Sequence, residues 1–321
     1  MAATRRNILK SATVRSQYAQ GIKLLKQEPS GRSTSDFGMS GPPTSVSTYD
    51  LFVIWHHRTM MTMTPPGNSA GRNAAHRGPI FLPWHRVMLM LLEANLQRIL
   101  NDQTFALPYW DWSADGDLTP SKQKKSKVWA ATCMGGHGTP VKTGPFKFNA
   151  ADSTSFRVRI ESDAFGNLRN TDRGLQREFA SSGINTLPSS GEVDAALQLT
   201  PSDAAQWDAD ADGFRNRVEG WSGDPSGMPM LHNRVHVWIG GDMAPGTSPN
   251  DPVFYLNHCN VDRIWESWMQ SHGRTYVPTM TAGAQLAGHR IDDPIASPLG
   301  TTTKPRDVLD VSGIYVYDTL P

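Results

Sequence analysis

The sequence predicts a mainly α-helical fold built around a helix bundle, with long loops and a few short strands. Three observations carry that expectation. Residues 49–63 and 87–100 carry helical apolar patterning on either side of one loop, and a third helical stretch opens at Asp251-Pro252. Histidines gather on these same stretches, so the regions 52–98 and 230–269 read as two halves of one bundle.

Taken in order, residues 5–27 place Ile8, Leu9, Tyr18, Ile22, Leu24 and Leu25 among charges, the pattern of a surface helix. Residues 29–47 are rich in Ser, Thr, Gly and Pro and read as a loop. The 49–63 helix ends at the Pro65-Pro66-Gly67 break, and a further loop over 73–83 leads into the apolar 87–100 helix. Residues 113–210 mix Gly, Asp, Ser and Lys with scattered apolar positions, which predicts irregular chain with short helices and a few strand pairs. At Asp251-Pro252 an N-cap acid precedes proline at the first helical position. From there Phe254, His258, Val261, Trp265 and Trp268 recur at helical spacing and mark a core-facing stripe. No internal repeat is visible, and 321 residues make one large domain or two small ones.

With 31 Lys and Arg against 30 Asp and Glu among 321 residues, the net charge is +1, without the basic excess of a dedicated nucleic-acid binder. Hydrophobic residues make up 38%, yet no apolar run approaches the roughly 20 needed for a membrane span. The two cysteines, Cys133 and Cys259, exclude a disulfide scaffold. Residues 1–10 carry the charge of an export leader, but 11–20 are polar where a leader is apolar. That favours the cytoplasm, although a mature product trimmed of its leader reads the same way.

Of the ten histidines, His232 and His236 stand at i and i+4, so on a helix both rings project from one face and can grip one ion. His258, on an apolar stripe where an unpaired ring is costly, is the natural third donor. A looser set comprises His56 with Phe52 and Met60, His76 in the loop, and His85 near the start of the apolar helix. Helical geometry alone does not separate His56 from His57. A lone buried histidine is more often an ordinary hydrogen-bonded core residue, and an isolated H-x-x-x-H is weak; two triplets together outweigh both objections. Neither Glu-x-x-His pairs nor H-E-x-x-H occurs, which argues against di-iron and hydrolytic zinc sites. Imidazoles without thiolate or carboxylate suit copper, with zinc left open by ligand type alone.

The words around these histidines carry a family likeness. Ile54-Trp55-His56, Asn73-Ala74-Ala75-His76-Arg77, Phe81-Leu82-Pro83-Trp84-His85-Arg86, Leu107-Pro108-Tyr109-Trp110-Asp111-Trp112, His232-Asn233-Arg234-Val235-His236 and the run from Asn250 through His258 to Asp262-Arg263 closely resemble the tyrosinases, the type-3 copper phenol oxidases. The resemblance runs from about residue 5 to the Tyr315-Val316-Tyr317 motif and is weakest over 113–210. It implies a central four-helix bundle holding two copper ions, one on His56, His76 and His85 and one on His232, His236 and His258. It also implies that His57 is a neighbour rather than a ligand.

By position, Glu219 and Asn233 resemble the pair that orients a water to help deprotonate a monophenol, against the plain reading of Glu219 as a solvated helix-end charge. Phe254 matches a residue that shields the first copper. Asp262, one turn beyond His258, is expected either to orient an imidazole or to pair with a nearby Arg. Val237 and the 244–248 loop, including Ser248, are expected to shape specificity. Asn257 stands where most members carry His, and no cysteine lies between His56 and His85, so no thioether is expected. Cys259 reads as a packed free thiol.

The resemblance implies ortho-hydroxylation of monophenols and oxidation of o-diphenols to o-quinones with O2. O2 and small phenols are thus expected partners, with a copper-delivery helper protein as a further candidate, and neither nucleic acid nor membrane. The alternatives are a catechol or o-aminophenol oxidase, a haemocyanin-like oxygen carrier, and a helical protein with structural zinc. Because carriers restrict phenol access with a covering domain and this chain ends at Pro321, an open site is expected.

Overall fold

The computed structural model describes residues 2–221, 227–297 and 302–321. Its centre is α9 (Val253–His272), which is buried around nearly its whole circumference from Val253 to Met269. A helix apolar or satisfied on every side belongs in the middle of a bundle. Against it lie α3 (Phe81–Leu100) and α8 (Leu231–Ile239), and α2 (Thr48–Met60) completes the four-helix core. Asp251 does cap α9 through its carboxylate, which accepts from the Val253 N–H at 3.0 Å, but Pro252 sits just outside the first helical residue.

The expected helix over 5–27 is shorter than its apolar content suggests. Residues Ala3–Arg5 form a strand, β1, and the helix α1 spans Ala12–Gln27, opened by Ser11, whose side chain accepts from the Val14 N–H. Arg5 is drawn out of any helix because its fully buried guanidinium meets Glu93 and Asp262. α1 approaches α3 closely at Gly21: a Cβ there would lie 2.6 Å from Leu96 Cδ2, so a larger residue would have to push that buried side chain aside.

The 29–47 segment departs from the expected loop. It is not plain loop but an antiparallel hairpin of β2 (Pro29–Ser33) and β3 (Ser45–Ser47), bulged between Pro29 and Arg32. Both strands are largely polar and exposed at β2, so they give no alternating apolar signal. α2 then starts with Ser47 accepting from the Asp50 N–H at 3.0 Å. α3 begins at Phe81, earlier than the apolar run, with Pro83 inside its first turn where a missing N–H costs nothing.

Between the two pairs of helices the chain forms α4 (Trp112–Gly116), α5 (Pro120–Gln123), the antiparallel pair β4 (Val158–Ser162) and β5 (Leu168–Arg173), α6 (Ser190–Leu197) and α7 (Phe214–Glu219). This is the expected mixture of loops, short helices and a strand pair. β6 (Tyr315–Tyr317) returns to lie parallel with β1, Ala3 opposite Tyr315. Among the described residues no helix is long and apolar enough to cross a membrane.

Candidate metal centre

Three elements deliver the first group of rings. α2 presents His56, whose Nδ1 donates to the Gly246 carbonyl at 2.7 Å. α3 presents His85, whose Nδ1 donates to the Phe81 carbonyl at 2.8 Å. A carbonyl accepts only, so each proton sits on Nδ1 and each Nε2 keeps its lone pair. His76 comes from the loop between them, where the Asn73 side chain accepts from the Ala75 N–H at 3.0 Å and the His76 N–H at 2.7 Å. This resolves the His56/His57 ambiguity geometrically: His56, not His57, converges with His76 and His85.

The second group follows the i, i+4 expectation. His232 and His236 stack on one face of α8 with ring centroids 4.4 Å apart, and α9 brings in His258. His236 Nδ1 donates to the Met243 carbonyl at 2.7 Å, while His232 Nδ1 faces the Glu219 carbonyl at 3.2 Å and Asn233 Oδ1 at 3.0 Å. His232 Nε2 and His258 Nε2 then lie 3.1 Å apart. Within each group the donor atoms all fall within 4.8 Å of one another, and the groups abut through His85 stacked on His258 at 4.1 Å.

These rings fit copper. The Nε2 atoms of His56, His85 and His236 are buried and unpartnered, which is costly for a polar atom unless a cation receives the lone pair. Burial pushes His56 down to about 3 and His236 to about 4, and holds His76, His85, His232 and His258 well below the ordinary histidine value. All six are therefore neutral imidazoles near pH 7, the state that ligates. Among the described residues these are the two groups of three or more metal-ligating side chains, and neither holds a thiol or a carboxylate. Cys259 is a buried free thiol whose pKa burial drives up, and Cys133 is raised to about 11.

The same burial predicts acid sensitivity of the metal-free chain. His56 binds a proton below about 6.5 when unfolded but only near 3 when folded. Its stabilising neutrality is intact above 6.5 and is lost as pH falls towards 3; His236 and the buried His289 behave alike down to about 4. Each ring costs up to about 1.4 kcal/mol per pH unit. Urea midpoints of apoprotein should fall steadily from pH 7 to pH 5; equal midpoints would contradict the assignment of neutral buried rings.

The remaining candidates scatter more. Phe254 lies among the rings, 5.0 Å from His56 and 4.2 Å from His258. Glu219 is fully buried, not a solvated end charge: its Oε1 accepts the Arg77 N–H at 2.7 Å and its Oε2 pairs with Arg215 at 3.2 Å. Burial raises its pKa against the opposing pull of Arg215. Asn233 is half-buried beside His232. Asp262 orients no imidazole, because both oxygens are taken by Arg5, Arg86, Tyr315 and Tyr317. Its alternative reading, an ion pair with a nearby Arg, is what the fold contains.

Val237 is half-buried against the core beside His236. Ser248 is buried, with its N–H closing a turn on the Pro245 carbonyl, and Gly246 is the residue of that loop that touches the centre. Asn257 is fully buried with neither amide atom partnered. His57 is also buried, its ring against Gly246.

Sequence reasoning missed Phe81, whose ring lies 4.8 Å from His85 and 4.9 Å from His232, although its place at the head of an apolar helix was visible. It also missed Arg77 and Arg215, the partners of Glu219. The carbonyls of Gly246 and Met243 had no signal at all, since every residue has a carbonyl.

Residues 46–271 match the family model described as the common central domain of tyrosinase. A tyrosinase from Streptomyces lincolnensis is 39% identical over 288 residues, covering 86% of this chain and 91% of its own length. A tyrosinase from Streptomyces antibioticus is 40% identical over 235 residues, 72% of this chain and 76% of that one. Among solved structures, a polyphenol oxidase mutant from Thermothelomyces thermophila superposes with a TM-score of 0.71 at 21% identity, over 100% of this chain and 89% of its own, a likeness of fold.

Proposed function

Because the chain belongs to the tyrosinase family of type-3 copper oxidases, we propose that it hydroxylates monophenols at the ortho position and carries them on to o-quinones, taking up O2 and releasing water. His56, His76 and His85 hold one copper in this reading, and His232, His236 and His258 the other. The bound pair supplies O2 activation and the electron sink.

The observation that carries the hydroxylase reading is the fully buried Glu219, which meets the same His232 ring as Asn233. Both touch His232 Nδ1, Glu219 through its carbonyl and Asn233 through Oδ1. With Oδ1 accepting, the Asn233 amide N–H groups are left to donate to a water, and that water can donate to a remaining lone pair of Glu219. The pair thus forms a general base for the phenol proton, and the raised pKa of Glu219 makes it a better acceptor. Phe254 supplies an apolar wall beside the rings. The burial of five of the six imidazoles, with His236 half-buried, also supports a copper-delivery helper protein as a partner, since free ions meet little exposed nitrogen.

The test compares tyramine with catechol on copper-loaded protein. Wild type should turn over both, and Glu219→Gln should lose about 10²-fold or more on tyramine while catechol oxidation stays within a few fold. Brisk catechol oxidation by wild type with no tyramine turnover would instead assign an oxidase of ready-made ortho pairs.

A further inference from the structure

Five of the six rings are carried on helices, and His76 alone stands on a loop. Its Nδ1 is buried without a partner, so no hydrogen bond from that atom fixes the ring. The rings of His56, His85 and Phe81 pack around it at 5.2, 4.8 and 5.7 Å, and the backbone on either side sets where it enters that cluster. On the N-terminal side the Asn73 side chain gathers the Ala75 and His76 N–H groups. On the C-terminal side the chain turns left-handed at Arg77, with φ 58°, a conformation that an L-residue adopts at a cost.

What holds that turn is Glu219. Its Oε1 accepts the Arg77 N–H at 2.7 Å, a charge-assisted bond to a fully buried carboxylate. The Arg77 guanidinium stacks over Trp221, two residues beyond Glu219, at 4.4 Å from the ring centroid. Glu219 is itself pinned: Arg215 meets its Oε2 at 3.2 Å and is clamped in turn by Asp203 at 2.7 and 2.9 Å. Next along the chain, Gly220 has φ 103° and a Cβ there would lie 2.1 Å from the Met230 carbonyl, so the end of α7 is pressed against the start of α8. The main-chain carbonyl of Glu219 accepts from His232 at 3.2 Å.

We propose that Glu219 is a positioning residue of the metal centre, its carboxylate fixing the turn that presents His76 to the first ion and its carbonyl fixing His232 of the second. One rigid residue then sets the placement of the two triads relative to each other. The carboxylate serves the first triad alone, because the carbonyl bond to His232 survives any side-chain change. This rests on the reading that the two triads hold copper, and it assigns Glu219 a task separate from handling the phenol proton.

Copper per chain tests it, measured on apoprotein equilibrated with copper against a competing chelator, together with the electron paramagnetic resonance of the oxidised product. Wild type should hold two ions as a coupled, silent pair. Glu219→Ala should lose about 10–100-fold in affinity at the first site, retaining close to one ion per chain with the signal of an isolated Cu(II). Glu219→Gln should return to two ions, since its amide oxygen still accepts from Arg77. Adding Arg77→Gly to Glu219→Ala should recover much of the loss, because glycine adopts the left-handed turn freely. Should Glu219→Ala fail to fold, Glu219→Asp keeps the buried charge facing Arg215, shortens the reach to the Arg77 N–H and should show the same selective loss.

If the alanine and aspartate variants bind two coppers with wild-type affinity while losing phenol hydroxylation, the positioning role is overturned and the proposed function stands. A wild-type chain that never holds two coppers overturns the proposed function itself, and the positioning role with it.

Discussion

Asp262→Ala should cost about 3–5 kcal/mol of folding stability, the largest loss expected of any single substitution outside the histidines. Asp262 sits on α9 with both oxygens engaged. Arg86 Nε donates at 2.6 Å, Arg5 at 3.2 Å, and the Tyr315 and Tyr317 hydroxyls at 2.6 Å each. Burial pushes its pKa up, but Arg86 and Arg5 outweigh that and hold it below the usual carboxylate range. Glu93 and Glu266 complete the set through Arg5 at 3.0 Å and Arg86 at 2.7 Å, and Arg5 lies 3.4 Å above the Tyr315 ring.

Such a network gains little over an apolar core while whole, yet loses much when one member is removed, because the other charges stay buried and unpaired. Here it also ties β1 and β6, from the two ends of the sequence, to the helix that carries His258. Urea unfolding of copper-free protein measures the effect. A loss below about 1 kcal/mol would mean that Arg5 and Arg86 find other partners.

His258→Ala should abolish catalysis on monophenols and o-diphenols alike, by at least about 10³-fold, equivalent to roughly 4 kcal/mol of barrier. Its ring lies where the two groups meet, 3.1 Å from His232 Nε2 and stacked on His85 at 4.1 Å. Without it the second ion keeps two donors, both on α8, and is expected to be lost on dialysis. His57→Ala is the matched control: it removes a buried histidine next in sequence to His56 but outside the triads. It should retain two coppers and turnover within about tenfold. Equal losses in the two variants would point to general damage rather than ligation.

The contrast between His56 and His57 shows where sequence patterning stops. Both fit a helix face and both rings meet Gly246, nearly two hundred residues away, yet only His56 converges with His76 and His85. The helical core was legible because its signals are local: the stripe on α9, the i, i+4 pair on α8, the apolar run of α3. Arg5 read as part of a surface helix because its partners, Glu93 and Asp262, are remote in sequence. The β2–β3 hairpin was hidden by polar composition.

The spacing of Asp262 from His258 allows two readings, and only its four partners in the fold select the ion pair. Glu219 is the instructive case. Composition favoured a solvated charge, the family likeness favoured a site residue, and the reason it tolerates full burial is Arg215, four residues earlier on the same short helix and clamped by Asp203.

Two groups of three imidazoles are expected to seat two copper ions side by side. Anomalous diffraction at the copper edge, on crystals of copper-loaded protein, tests it most directly. Two peaks about 3.5–4 Å apart, one bounded by His56, His76 and His85 and the other by His232, His236 and His258, are expected. A single peak, or ions bound away from these rings, would contradict it.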